Sequence, residues 1–254
     1  MGISPAQDMA LEPFHDESAV YSSQNMIARR QRMLEHARAL IQETGYEKFS
    51  MSEVARRADV AKRTLYNAFK TKERLIATAI EDMTQIRVAQ TPSTMVPYSL
   101  SWAIEQFNSG LVRSRALKDY VGAVIAIYFA PNPDTHVWQV IHEASASGHR
   151  PWINYLVQHK ALRPGIDAQH LIDDLTGMKY SIAQNWCCGR ISHEDAVLRQ
   201  NLLFLSIMAS NVVDHLQAPL MAALDSITRS GLADYLRRHK EDGPFLEMHP
   251  QDKA

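Results

Sequence analysis

The stretch that most constrains the fold runs from Ser50 to Leu75, SMSEVARRADVAKRTLYNAFKTKERL. Its first serine is followed three residues later by Glu53, a capping box that satisfies free amide donors at a helix start. Apolar residues then recur at helical spacing as far as Ala58, and Asp59 follows, a residue type that tolerates left-handed backbone. The pattern predicts a helix, a tight turn and a second helix from about Lys62 to Phe69.

The second helix is expected to present a polar face to solvent, because its spacing turns Leu65, Ala68 and Phe69 inward. Guanidinium and amide groups hydrogen-bond to base edges, whereas hydroxyls and ammonium groups hold phosphates. We therefore predict a helix-turn-helix whose second helix enters the major groove of duplex DNA. The outward side chains are Lys62, Arg63, Tyr66, Asn67 and Lys70, with Thr64 at the edge.

The charge distribution supports this prediction, although the whole chain carries a net charge of only −1. Residues 24–75 contain 12 Lys/Arg against 6 Asp/Glu, and the rest of the chain contains 15 against 22. A basic N-terminal module on an acidic body is the electrostatic pattern of a DNA-binding protein. A chance asymmetry on solvated helix faces is the alternative.

The same residues resemble the DNA-binding motif of the TetR family of bacterial transcriptional regulators, over about residues 26–89. Three positions depart from the family pattern: Asp59 replaces the turn glycine, Ala61 replaces the serine that caps the reading helix, and Ala68 replaces an aromatic residue or histidine. The resemblance is carried by Gly45-Tyr46, Ser50 to Ala55, Ala58 to Ala61, Thr64-Leu65-Tyr66, Phe69, and Lys72 to Leu75.

The resemblance implies an all-α protein with an N-terminal three-helix helix-turn-helix domain and a larger C-terminal helical domain for ligand binding and dimerisation. We expect a flexible arm at 1–23, the DNA-binding domain at 24–71, a connecting helix at 72–89, the effector and dimerisation domain at 90–240, and a flexible tail at 241–254. The residues predicted to contact DNA are Arg29, Ser50, Met51, Lys62, Arg63, Thr64, Tyr66, Asn67, Lys70 and Lys72.

Two regular helices are predicted in the body, at 168–187 and 195–217, with apolar residues at alternating spacings of three and four. The second has more apolar surface than one neighbour can cover, which favours either a shared interface or an internal core helix. The resemblance points to a two-fold homodimer. The predicted interface residues are Leu171, Leu175, Ile182, Leu198, Leu202, Leu205, Ala209, Val212 and Leu216.

Composition supports a helical protein of the cytoplasm. Alternating strand patterns are lacking, the two cysteines are adjacent at Cys187 and Cys188, and no apolar run approaches the length of a membrane span. We therefore expect no membrane association. We also find no catalytic motif, no metal-ligand spacing and no cofactor loop, so an enzyme is not predicted.

The resemblance implies a small-molecule effector in the body, and the large side chains there suggest an apolar or aromatic compound. The function predicted is a repressor released from a palindromic operator by this effector. An architectural DNA-binding protein without an effector is the alternative. The residues predicted to line the effector site are Trp102, Phe107, Tyr128, Trp138, His142 and Met178.

Overall fold

The computed structural model describes residues 17–90 and 92–250, and these residues form helices and connecting turns without a β-strand. None of the described helices is long and apolar enough to cross a membrane. The helices are α1 Glu17–Thr44, α2 Met51–Arg57, α3 Lys62–Phe69, α4 Lys72–Gln90, α5 Leu100–Val112, α6 Lys118–Tyr128, α7 Thr135–Ala146, α8 Arg150–Gln158, α9 Ala168–Cys187, α10 His193–Asn211, α11 Gln217–Ser230, α12 Leu232–Arg238 and α13 Phe245–Met248.

Helices α1–α3 form the head of the molecule. Gly45 ends α1 with φ 70°, and Asp59 makes the turn between α2 and α3 with φ 52°, so the left-handed backbone expected at Asp59 is observed. Ser50 caps α2, because its side chain accepts a hydrogen bond from the amide of Glu53 at 3.4 Å. Ala61 gives α3 no side-chain cap. The head core is built from helix faces, including Leu34, Ile41, Val54, Leu65 and Phe69.

The core of the head continues into the body (α5–α13) without a polar boundary. One cluster of buried side chains runs from α1–α3 through Leu75 and Ile80 of α4 to Val124 of α6 and Ile141 of α7. An ion pair also joins α1 to α4. The guanidinium of Arg38 lies 2.8 Å from the carboxylate of Asp82, and both side chains are largely buried. The connecting helix is therefore packed on both sides.

A second cluster forms the centre of the body, where α5, α8, α9, α10 and α11 meet. Phe107 stacks on Phe204 with ring centroids 4.4 Å apart, and Trp152 packs against the same ring at 5.7 Å. Trp152 and Phe204 are fully buried. Helices α7 and α8 are separated by a turn at Gly148.

One of the two helices predicted in the body is shorter than expected. Helix α10 ends at Asn211, and Val212 is extended because it pairs with Leu162 across an isolated bridge. Leu216 therefore lies outside α10, and the predicted alternation over 195–217 is broken. Further along the chain Gly231, with a φ of 81°, separates α11 from α12.

Both ends of the chain differ from the expected boundaries. Helix α1 already includes Glu17, whereas residues 1–16 of the expected arm lie outside the described residues. The tail expected to be flexible is anchored at Phe245, which is 2% exposed and lies 5.7 Å from the Trp152 ring. Its amide also donates to the carbonyl oxygen of Tyr98 at 2.9 Å. Burial of this aromatic ring holds the segment around Phe245 against the body.

Candidate functional site

Helix α3 lies outermost on the head and carries the predicted DNA-reading face. Leu65 and Phe69 bury its inner side at 0% and 3% exposure. The outer side chains Lys62, Arg63, Tyr66, Asn67 and Lys70 are exposed, and Thr64 is half-buried. Ala68, predicted to point inward, is exposed instead, because the contact with the core is narrow and is filled by the two larger residues.

The other predicted DNA contacts fall into three groups. Arg29 and Ser50 are exposed. Lys72 is half-buried at the start of α4, with its ammonium 4.2 Å from the centre of the Tyr46 ring. Met51 is a correction, since its side chain is 6% exposed and belongs to the head core. The first residue of α2 therefore supports the fold rather than a contact with DNA through its side chain.

Cations on α2 and α3 differ in their partners. On α2, Glu53 accepts hydrogen bonds from both Arg56 and Arg57, which lower the pKa of its carboxyl to about 2. Arg57 also pairs with Glu43 of α1 at 2.8 Å. Among the described residues no acidic side chain pairs with the cations of α3, and the ammonium of Lys62 lies 5.8 Å from the Tyr66 ring. Within the described residues the cations of α3 thus lack acidic partners, whereas Arg56 and Arg57 of α2 have them.

The body contains a cavity of about 120 Å³ next to the connecting helix. A single water molecule needs about 10–15 Å³ of such space, so several waters or a small organic molecule can fit. Ile80 and Thr84 of α4 form one wall, and Val124 and Ile125 of α6 form another. The remaining walls come from the end of α5, the turn between α7 and α8, and the facing sides of α9 and α10.

Lys179 of α9 lies in the wall of this cavity and is buried, at 7% exposure. Its ammonium donates to the main-chain oxygen of Ser145 at 3.0 Å and lies 4.8 Å from the centre of the Phe107 ring. Burial lowers the pKa of this ammonium from 10.5 to about 7. Gln200 of α10 lines the same cavity and donates from its amide nitrogen to the carbonyl oxygen of Lys179 at 3.2 Å.

None of the six residues predicted to line an effector site lines this cavity. Tyr128, Trp138 and His142 form one aromatic cluster, in which His142 also lies 3.0 Å from Asp173, and the cluster borders the cavity through Tyr180. Phe107 lies behind the Lys179 ammonium. Trp102 packs against Tyr98, and Met178 faces a separate surface groove with Ile207.

The predicted dimer interface also requires correction. Leu175, Leu205, Val212 and Leu216 are fully buried within this single chain, and Leu171 and Ala209 are exposed by only 6% and 7%. A second subunit could not reach them, because α10 and α11 pack against each other over the same stripe. Ile182, Leu198 and Leu202 are half-buried. The outward side of α9 and α10 instead carries Met178, Leu203 and Ile207.

A helix-turn-helix with an exposed polar second helix, set on an all-helical body, defines the class of DNA-binding transcription regulators. Residues 33–79 match the family described as bacterial regulatory proteins, tetR family. The resemblance of the head to the DNA-binding domain of the TetR family is thereby confirmed. No curated protein matches the sequence.

Solved structures of similar fold are assigned to the same family. Full-length TylP, a TetR regulator from Streptomyces fradiae, is 19% identical with a TM-score of 0.52, covering 84% of this chain and 98% of TylP. A protein from Shewanella sp. PV-4 is 19% identical with a TM-score of 0.54, covering 73% and 98%. One from Rhodococcus sp. is 19% identical with a TM-score of 0.53, covering 68% and 95%. At these identities the comparison supports the fold.

Proposed function

We propose that this protein is a ligand-responsive repressor that leaves a palindromic operator when a small molecule with an apolar or aromatic part binds inside its body. The observation that carries the proposal is the shared wall between cavity and connecting helix. Ile80 and Thr84 of α4 line the cavity, and the same helix continues from the reading helix after a single connecting turn.

The cavity is connected to the reading face through α4 and the core of the head. The core of α1–α3 is continuous with α4, and Asp82 holds α4 to Arg38 of α1. A shift of α4 would therefore carry the reading face with it. A ligand changes DNA affinity only if it binds the two positions of α4 with different affinity.

We further propose that the protein acts in the cytoplasm as a two-fold homodimer. Two heads must meet half-sites about 34–36 Å apart on one face of the duplex, so a displacement of a few Å in their spacing weakens binding. The outward side of α9 and α10, with Met178, Leu203 and Ile207, is the surface we propose for the second subunit. These residues take over from the buried leucines in the predicted interface.

An electrophoretic mobility shift experiment tests the proposal. The full chain and the DNA upstream of its own gene should form a complex that competitor DNA of random sequence does not remove, and that rising salt weakens. Arg63→Ala should change the preferred sequence, because a guanidinium on the reading face contacts base edges. Arg229→Ala, an exposed change on α11, is the matched control and should bind as the unmodified protein does.

Two different results would contradict the proposed function, and they can be distinguished. Absence of sequence-selective binding would contradict a regulator of this type. Selective binding that no small molecule reverses, with no compound raising the melting temperature of the protein, would instead favour the architectural alternative.

A further inference from the structure

The charged side chains that line the cavity are positive. Lys179 and Arg113 both line it, and its lining includes no acidic residue among the described part of the chain. The ammonium of Lys179 has three hydrogen-bond donors. Within the described residues its recorded polar partner is the main-chain oxygen of Ser145, at 3.0 Å. A buried ammonium without a carboxylate partner is unfavourable unless something supplies the negative charge.

The position of the ammonium connects it to the open space. Its nitrogen lies beside Ser145 and Gly148, and both residues line the cavity. A Cβ atom built on Gly148 would lie 3.6 Å from this nitrogen, so the ammonium lies against the turn that forms this wall of the cavity. A ligand in the cavity can therefore reach the donors of Lys179.

A second buried polar group lies in the same wall. Gln200 is 2% exposed, and its side-chain oxygen has no hydrogen-bond partner among the described residues. Its nitrogen already donates to the backbone of Lys179, which fixes the orientation of the amide. An oxygen that accepts no bond calls for a hydrogen-bond donor, because an unsatisfied buried acceptor is costly.

The remaining lining combines apolar side chains with hydroxyl groups such as those of Thr84, Ser109 and Tyr180. Ile80, Leu111, Val124, Ile125 and Ala183 come from four helices and enclose the polar groups. These walls match a hydrocarbon or aromatic body rather than a fully polar metabolite.

We infer that the cavity binds a small organic carboxylate that also carries a hydroxyl group, with the carboxylate at Lys179, the hydroxyl at Gln200 and an apolar body between α4 and α6. The inference rests on the proposed function, since it names the chemical class of the effector. An aromatic hydroxy acid satisfies all three requirements. The carboxylate accepts from Lys179 and neutralises it, and the hydroxyl donates to the side-chain oxygen of Gln200.

Benzoate and the three hydroxybenzoates are suitable probes, with benzamide and phenol as analogues that lack the charge. Binding to the full-length protein at pH 7 is measured by isothermal calorimetry and by the shift in melting temperature. The hydroxybenzoate whose geometry fits should bind more tightly than benzoate. Benzoate in turn should bind about 10-fold to 100-fold more tightly than benzamide, as expected for a charge-assisted hydrogen bond inside a protein.

Variants separate the two polar contacts. Lys179→Met removes the charge and should weaken the carboxylates about 10-fold to 100-fold while leaving phenol unchanged. Gln200→Met should remove the advantage of hydroxybenzoate over benzoate. Lys240→Met, an exposed lysine far along the chain, is the matched control and should bind all probes as the unmodified protein does.

The inference is overturned if no carboxylate binds at millimolar concentration, if benzamide binds as well as benzoate, or if Lys179→Met retains full carboxylate binding. The benzamide comparison uses the unmodified protein, so it decides even where a variant does not fold. Release of DNA by a neutral compound would agree with the proposed regulator but contradict a carboxylate effector. Carboxylate binding without sequence-selective DNA binding would agree with the carboxylate site but contradict the proposed regulator.

Discussion

Lys179→Met should stabilise this protein at neutral pH, because it removes a buried charge. The pKa of Lys179 is lowered from 10.5 to about 7 by burial. Between these two values the unfolded chain holds a proton that the folded chain releases, so the free energy of unfolding rises with pH. The penalty is largest below pH 7 and disappears as pH approaches 10.5.

The size of the effect follows from the pKa shift. At pH 7 the lysine is half-protonated in the folded chain, and the shift corresponds to a penalty of about 4 kcal/mol. Methionine also loses the hydrogen bond to Ser145, worth about 1 kcal/mol. The net gain is about 3 kcal/mol. For a chain of this size the melting temperature should rise by about 6–12 °C.

The pH dependence provides an internal check. From pH 7 to about 8.5 the free energy of unfolding of the unmodified protein should rise by about 1.5 kcal/mol, and that of Lys179→Met should not. Other groups act outside this window. The pKa of His149 is lowered well below 6.5 by burial, so its contribution is complete by pH 7. Burial raises the pKa of Cys187 to about 11, which opposes the lysine only above pH 8.5 or so.

Urea unfolding followed by circular dichroism, at one protein concentration and at both pH values, measures these differences. Lys240→Met should match the unmodified protein at both. A Lys179→Met protein less stable at pH 7, or an unmodified protein whose stability falls between the two pH values, would refute the assignment of Lys179 as a buried, uncompensated cation.

Three further predictions concern the head, the cavity turn and the tail. Lys72→Ala should weaken binding to specific and random DNA alike and lower the salt slope by about 1, measured by fluorescence anisotropy across a salt series; a loss confined to the operator would contradict it. Gly148→Ala should lower the free energy of unfolding, measured in urea, by about 1–3 kcal/mol, because a Cβ atom there would lie 2.6 Å from a main-chain oxygen of α5. The control Gly177→Ala, whose Cβ atom would meet no neighbouring atom within 4 Å, should leave it unchanged. Phe245→Ala should lower the free energy of unfolding by about 3–5 kcal/mol, because it removes a ring packed on Trp152. An unchanged melting temperature would show that the tail does not stabilise the fold.

The head could be predicted from the sequence because its signals are local. Ser50 caps α2, Asp59 makes the turn, and Leu65 with Phe69 defines the buried side of α3 within one helical turn. The predictions that failed depend on residues distant in sequence. The end of α10 is set by the pairing of Val212 with Leu162, and the anchored tail depends on a pocket beside Trp152. No periodicity within either segment contains that information.

The interface leucines were misplaced for a related reason. A regular apolar stripe shows that a helix face is covered, but not by which chain, and Leu175 and Leu205 are covered by their own subunit. The cavity residues had a weak signal in the sequence. Lys179 falls between Leu175 and Ala183 on the apolar side of α9, and Gln200 falls between Ala196 and Phe204 on that of α10. A polar residue inside such a stripe marks a position worth testing for a ligand contact.

The unbroken packing from α1 to α7 has a consequence for protein engineering. A hybrid regulator would join the DNA-reading half of one protein to the sensing half of another. Here a cut after α4 would strip the first half of its contacts with Val124 and Ile141 and expose apolar surface on both fragments. A hybrid that keeps its solubility would have to transplant α6 and α7 along with the reading half, or redesign the side chains where the two parents meet.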